Sequence, residues 1–88
     1  MDKFNPHAQQ AILEVVDNQV RENDPPETRE TLTRLMEQGY SKVVARKLIG
    51  SVVAVEIYEV MKLGRPFNRE RFVAALKNLP RLSFDVDE

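Results

Sequence analysis

Residues 41–63 read SKVVARKLIGSVVAVEIYEVMKL, and the rest of the chain is arranged around them. No proline interrupts this stretch, Ser41 opens it and Gly64 follows it, so it reads as one continuous helix near the middle of the fold. On a helical wheel the first half gathers Val44, Ala45, Leu48, Ile49 and Val52 on one side. The second half gathers Val53, Ala54, Ile57, Tyr58, Val60 and Met61 on roughly the opposite one. The expectation is a central pillar whose buried face changes sides near Gly50 and Ser51, facing one neighbour with each half.

The flanking sequence supplies three more helices. Asn5 is placed to cap a helix with Pro6 at its first position, and Ala8, Ala11, Ile12, Val15, Val16 and Val20 recur at helical spacing to about Glu22. His7, Gln10, Glu14, Asp17, Asn18 and Arg21 form its polar arc. Gln19 falls inside the apolar arc, so its amide needs a partner on a turn or a facing helix. Asp24-Pro25-Pro26-Glu27 signals a second helix start, with Asp24 as cap and Glu27 completing a capping box. In that helix Thr28, Leu32, Leu35 and Met36 make a narrow stripe, and Glu30 pairs with Arg34 on the wet side, which predicts a peripheral position. Gly39 in a left-handed turn, Tyr40 folding back and Ser41 as the next cap predict a tight αα-hairpin. Gly64 and Pro66 end the pillar, and Asn68 caps a last helix in which Phe72, Ala75, Leu76 and Leu79 share a face before Pro80. Phe67 is expected to plug the core. The tail RLSFDVDE alternates apolar and polar residues, reading as an extended segment across the helices or a frayed end, with order expected through Phe84.

The fold class is therefore all-α: one domain over residues 1–88, a four-helix array with helices at about 5–22, 25–38, 41–63 and 68–79. Eighty-eight residues with 42% hydrophobic content suffice for one core without staples. The absence of cysteine removes disulfides, thiolate metal sites and thiol nucleophiles, and fits a reducing compartment. No span of membrane length and no signal pattern is visible, so a soluble cytoplasmic protein is the expectation.

Net charge is −1, which argues against nucleic-acid binding driven by bulk charge. The charge is unevenly placed. Residues 1–40 hold eight acids and four bases, residues 41–81 three acids and nine bases, and residues 82–88 three acids alone. Intramolecular complementarity accounts for this most simply, and an anionic partner on the basic half is the sharper alternative.

Candidate chemistry is sparse. His7 is the single histidine and lies on a polar arc, so no multi-histidine metal site or Ser-His arrangement is available. The carboxylate pairs Glu14/Asp17 and Glu56/Glu59 sit three residues apart, as in bundle di-metal sites, but lack the accompanying Glu-x-x-His. Both are expected on the wet side, with Lys62 and Arg65 as partners for the second pair. Lys62, Arg65, Arg69 and Arg71 surround Phe67, a possible contact for an anion or acidic peptide. No glycine loop suited to phosphate is present. The expectation is no catalytic residue, no metal and no cofactor.

Several resemblances bear on this reading. The segment Leu32-x-x-Leu35-Met36-Glu37-Gln38-Gly39-Tyr40-Ser41, followed by Ala45 and Leu48, faintly resembles a DNA-binding helix-turn-helix, with Lys42, Arg46 and Lys47 on its second helix. It also faintly resembles ubiquitin-associated domains around the Gly-aromatic-Ser turn. The long, apolar following helix departs from both patterns. Asn5-Pro6, Gln19, Pro25-Pro26, Ala45, Tyr58-Glu59 and Gly64-Arg65-Pro66 together resemble an uncharacterised bacterial family of small helical proteins, a domain of unknown function, over most of residues 5–76. That resemblance implies an all-helical bacterial cytoplasmic protein and no activity. The family's histidines on the first and long helices are replaced here by residues such as Gln9, Leu13 and Lys47, so no metal is implied for this chain.

The functional expectation is a small non-enzymatic protein-interaction or assembly module, possible as a homodimer, because helices 1 and 3 offer more apolar circumference than helices 2 and 4 can cover. The alternative is nucleic-acid binding through Lys42, Arg46 and Lys47. Candidate interaction residues are Lys42, Arg46, Lys47, Lys62, Arg65 and Arg69.

Overall fold

In the computed structural model, which describes residues 6–82, four helices follow one another: α1 (Pro6–Glu22), α2 (Pro26–Glu37), α3 (Lys42–Leu63) and α4 (Arg69–Asn78). The body measures 35 × 32 × 27 Å. The expected cap at Asn5 and order through Phe84 lie outside the described residues.

The pillar is unbroken from Lys42 to Leu63, but its buried face does not change sides. Ala45, Ile49, Val52, Val53 and Glu56 form one stripe at intervals of three and four, running through both halves. What breaks this stripe in the sequence is Glu56, a charged residue at a core position. It is only 6% exposed. Arg71 of α4 meets it with a two-pronged hydrogen bond, which lets a carboxylate occupy an apolar stripe. Of the second-half residues assigned to an opposite buried face, Ile57, Tyr58, Val60 and Met61 are exposed. Val53 instead belongs to the single stripe.

At Gly50 α1 packs closely against α3. A Cβ placed there would stand 3.3 Å from Cγ2 of Ile12 and 3.6 Å from Cδ2 of Leu13, so the missing side chain lets the two helices meet. The hairpin is built as expected. Gly39 has φ +105°, the Tyr40 N–H donates to the Leu35 carbonyl at 3.1 Å, and the Val44 N–H donates to Ser41 Oγ at 3.1 Å. Gly64, at φ +68°, ends α3, with the Arg65 N–H on the Glu59 carbonyl at 3.2 Å. Asn68 caps α4 by accepting from the Arg71 N–H at 2.9 Å.

The second helix corrects two expectations. Its cap is Pro25, one residue later than expected, and no side chain caps the helix, so the Asp24/Glu27 capping box is not formed. Asp24 instead donates its N–H to the Gln19 carbonyl at 3.1 Å and turns its carboxylate outward. Nor is α2 peripheral: it packs against α1, α3 and α4. Thr28, Thr31, Leu32 and Leu35 are buried, whereas Met36 is exposed. Arg34 explains part of this central position. Rather than pairing with Glu30, its guanidinium crosses to the end of α4 and donates to the carbonyls of Leu79 at 2.8 Å and Leu76 at 3.0 Å. These carbonyls lie at the end of a helix, where the Leu76 carbonyl has the Leu79 N–H at 3.2 Å and a cation is favoured by the dipole.

The core is Val16, Leu32, Leu35, Ala45, Ile49, Val52, Val53, Phe72, Leu76 and Leu79, with Tyr40, Leu48, Ala75 and Leu82 packed at its edge. Among the described residues no helix is long and apolar enough to cross a membrane.

Candidate functional site

α3 leaves apolar side chains uncovered at both ends, Val43 and Val44 near its start, the latter contrary to its expected place on the buried face, and a larger group on its C-terminal half. Val53, Ile57, Val60 and Met61 form one wall of a concavity of about 360 Å³, Val15 of α1 forms another, and Phe67 and Phe72 close the end. Helical spacing produces this wall, since Val53, Ile57, Val60 and Met61 recur at intervals of four, three and one. The floor is buried, with Val53 and Phe72 both inside the core. The rim is not: Met61 is 75% exposed, Phe67 57%, Ile57 and Val60 40% each, and Val15 37%.

Phe67 therefore does not plug the core. Its ring lies 5.8 Å from that of Phe72, tilted by 55°, so Phe72 fills the interior and Phe67 covers it from outside. The short turn after Gly64 places residue 67 before α4 begins, too early to reach the centre.

Polar groups at this site are few and paired. Gln19, expected to need a partner, accepts from Oγ1 of the fully buried Thr28 at 2.8 Å, tying α1 to α2. Glu56 also borders the concavity, but its carboxylate is engaged by Arg71 Nε at 2.9 Å and a second guanidinium nitrogen at 3.0 Å. The Arg71 guanidinium is held above its ordinary range chiefly by this hydrogen bond, against an opposing effect of burial, with the charges of Glu56 and Glu59 adding to it. A concavity with its carboxylate neutralised is suited to apolar contact and not to proton transfer.

The carboxylate pairs are engaged with side chains of the fold. Asp17 takes Arg46 in a two-pronged contact at 2.9 and 2.8 Å, and Glu14 accepts from Gln10 at 3.5 Å. Glu56 is buried rather than wet, and its partner is Arg71 and not Lys62 or Arg65; Glu59 does meet Arg65, at 3.5 Å. Among the described residues no group of three or more His, Cys, Asp or Glu is arranged to hold a metal ion.

The candidate basic residues are dispersed. Arg46 is committed to Asp17, while Lys42 and Lys47 are exposed. Lys42, Arg46 and Arg21 border a second concavity of about 460 Å³, together with Asp17 and the apolar Val20 and Val43. At the other end Arg65 faces Glu59, Arg69 faces Asp24 at 3.8 Å, and Lys62 is exposed. Sequence reasoning missed Glu56, Arg71 and Arg34 as organising residues. The only signals for them were a carboxylate at core spacing in α3 and arginines on helices expected to be wet.

Comparison with protein families, with curated proteins and with solved structures finds no match to this chain.

Proposed function

We propose that the protein is a small non-enzymatic assembly module, and that the apolar concavity at the C-terminal half of α3 receives a second copy of the chain. The exposed rim carries this reading. If side chains of this size each offer about 150–200 Å² in full, the exposed parts of Val15, Ile57, Val60, Met61 and Phe67, with Tyr58 on the flank, come to roughly 500 Å². Covered from both sides, that is roughly 1,000 Å², the lower bound for a specific interface. The surface is also self-complementary in kind, since Met61 and Phe67 project beside the hollow. A two-fold axis would seat each copy's projecting pair in the other's concavity. A net charge of −1 puts little repulsion between copies. The bacterial and cytoplasmic setting implied by the family resemblance and the cysteine-free composition belongs to the same proposal.

Sedimentation velocity at 1–100 µM tests it. The expected result is a concentration-dependent dimer that Met61→Glu converts to monomer while helical content and melting temperature are kept. Monomer throughout for the unaltered chain would overturn the dimer. Nucleic-acid binding is supported less well, because Arg46 would have to leave Asp17 to reach a phosphate. A salt-sensitive shift of labelled DNA or RNA that is lost in Lys42→Ala/Lys47→Ala would favour it instead.

A further inference from the structure

The concavity at the start of α3 is separate from the proposed assembly surface. On α1 its members Asp17, Val20 and Arg21 lie roughly opposite Val15 and Gln19, which face the other hollow, because residues two apart on a helix stand about 200° apart. On α3 it uses Lys42, Val43 and Arg46, which end about two turns before Val53. The two hollows share no residue.

This second hollow combines positive charge with apolar surface. Three cations, Arg21, Lys42 and Arg46, line it with one acid, Asp17, in a chain whose net charge is −1. Asp17 is taken by Arg46 through two hydrogen bonds at 2.9 and 2.8 Å, so the charge left over belongs to Lys42 and Arg21. Arg21 bonds only the neutral Asn18, Lys42 has no ion pair among the described residues, and both are exposed. The negative end of α1 lies close by and would repel an anion, but Arg29 of α2 covers it, donating to the Val20 carbonyl at 2.7 and 3.1 Å. No acid stands in the first turn of α3, so its dipole adds to the positive charge. Between these cations lie the buried Leu32, the half-buried Val20 and Val43, which is 56% exposed.

We propose that this hollow binds an acidic segment of another protein, with one apolar side chain of the segment against Val20, Leu32 and Val43 and its flanking carboxylates on Lys42 and Arg21. Charge complementarity selects this partner. An apolar group alone would cover the two cations and leave them without a counter-charge, and a simple anion would leave Val43 and Leu32 uncovered. The volume of about 460 Å³ falls in the range of about 300–1,000 Å³ typical of ligand pockets, and it admits a side chain the size of leucine. A nucleic acid fits less well, because its phosphates carry no apolar branch for the floor and would face Asp17. The inference is independent of the dimer, since it uses the other side of α1 and the other end of α3.

Fluorescence anisotropy on the full chain tests the proposal, with a labelled peptide in which one leucine is flanked by two aspartates on each side. Saturable binding is expected at low salt, falling as salt screens the exposed charges. Lys42→Glu/Arg21→Glu should weaken it roughly tenfold or more, and Val43→Ser, or alanine in place of the peptide leucine, roughly threefold to fivefold. Asp17→Asn removes the adverse acid and releases Arg46, so it should tighten binding, a gain that misfolding cannot produce. Met61→Glu should bind the peptide as the unaltered chain does, so loss of the dimer with retention of binding would count against the assembly reading alone. The proposal is overturned if no saturable binding appears up to 1 mM protein, or if binding is indifferent to Val43 and to the peptide leucine, which would mean charge alone. Tighter binding of a single-stranded DNA of equal charge, lost in Lys42→Glu/Arg21→Glu, would overturn it in favour of nucleic acid. Dissociation of the dimer by that same double change would assign the hollow to a second copy and overturn it as well.

Discussion

Replacing Arg34 by methionine separates two views of α2. Read from the sequence, Arg34 is the partner of Glu30 on a wet face, and such an exposed i,i+4 pair contributes about 0.3–0.5 kcal/mol. In the structure it is a bracket between α2 and α4, donating to the carbonyls of Leu76 and Leu79. A hydrogen bond to a charged group contributes about 1.5–3 kcal/mol net when buried. Arg34 is half-buried and the freed carbonyls can take up water, so the two bonds together are better put at about 2 kcal/mol. Methionine keeps most of the aliphatic stem, so the loss is largely of hydrogen bonding and charge. For a domain of this size a loss of 2 kcal/mol corresponds to a fall in Tm of roughly 10 °C. Urea unfolding at pH 7 should show the lower midpoint with an unchanged slope, and amide exchange in the last turn of α4 should accelerate more than in α1. Glu30→Gln should be nearly silent, alone or combined with Arg34→Met. A loss below about 0.5 kcal/mol for Arg34→Met, coupled to Glu30, would refute the bracket and restore the wet-face pair.

Two further perturbations test the packing around α3. Arg71→Leu leaves the Glu56 carboxylate buried without its partner and should lower the urea midpoint more than the double change Glu56→Leu/Arg71→Leu, which leaves no unpaired charge; the reverse order would show that the pair is not buried as described. Gly50→Leu should cost about 1–3 kcal/mol, because the added carbons drive against Ile12 and Leu13. Gly50→Ala should be close to neutral, since a shift of a few tenths of an ångström by the Ile12 methyl is offset by a gain in helix propensity of up to about 1 kcal/mol. Equal urea midpoints for the two variants would contradict the close approach of α1 at this glycine.

Helix existence and most helix ends were legible because the signals are local. Gly39, Ser41, Gly64 and Asn68 each act through their own φ or a bond to a backbone group two or three residues away, and each does so here. Where another bond took the group that a signal needed, as when the Gln19 carbonyl accepts the Asp24 N–H that the Asp24/Glu27 box requires, the reading failed. The larger errors have one source. Glu56 and Arg34 look wet to any hydropathy pattern, and their partners, Arg71 and the end of α4, lie 15 and more than 40 residues away. Spacing alone cannot reveal a partner at that distance. Treating Glu56 as wet split one buried stripe into two and moved half of it to the wrong face.

That error also bears on function. The apolar residues Ile57, Val60 and Met61 were expected to meet another helix of the same chain, and in the fold α4 packs against α2 and α3 and reaches the end of their hollow with Phe72. A ten-residue helix that buries Phe72 and Leu76 in the core leaves Met61 exposed. The Glu56–Arg71 contact fixes how α4 sits along α3, with Phe72 at the end of the hollow and Ala75 in the seam on the other side of Glu56. The pair that closes the core on one side thus leaves the apolar flank open on the other. Weakening that contact should loosen α4 and blur the groove together, whereas Met61→Glu should change the groove and leave the core intact. If Arg71→Leu left self-association untouched at a temperature where α4 amides exchange freely, the proposed link between the pair and the assembly surface would be wrong.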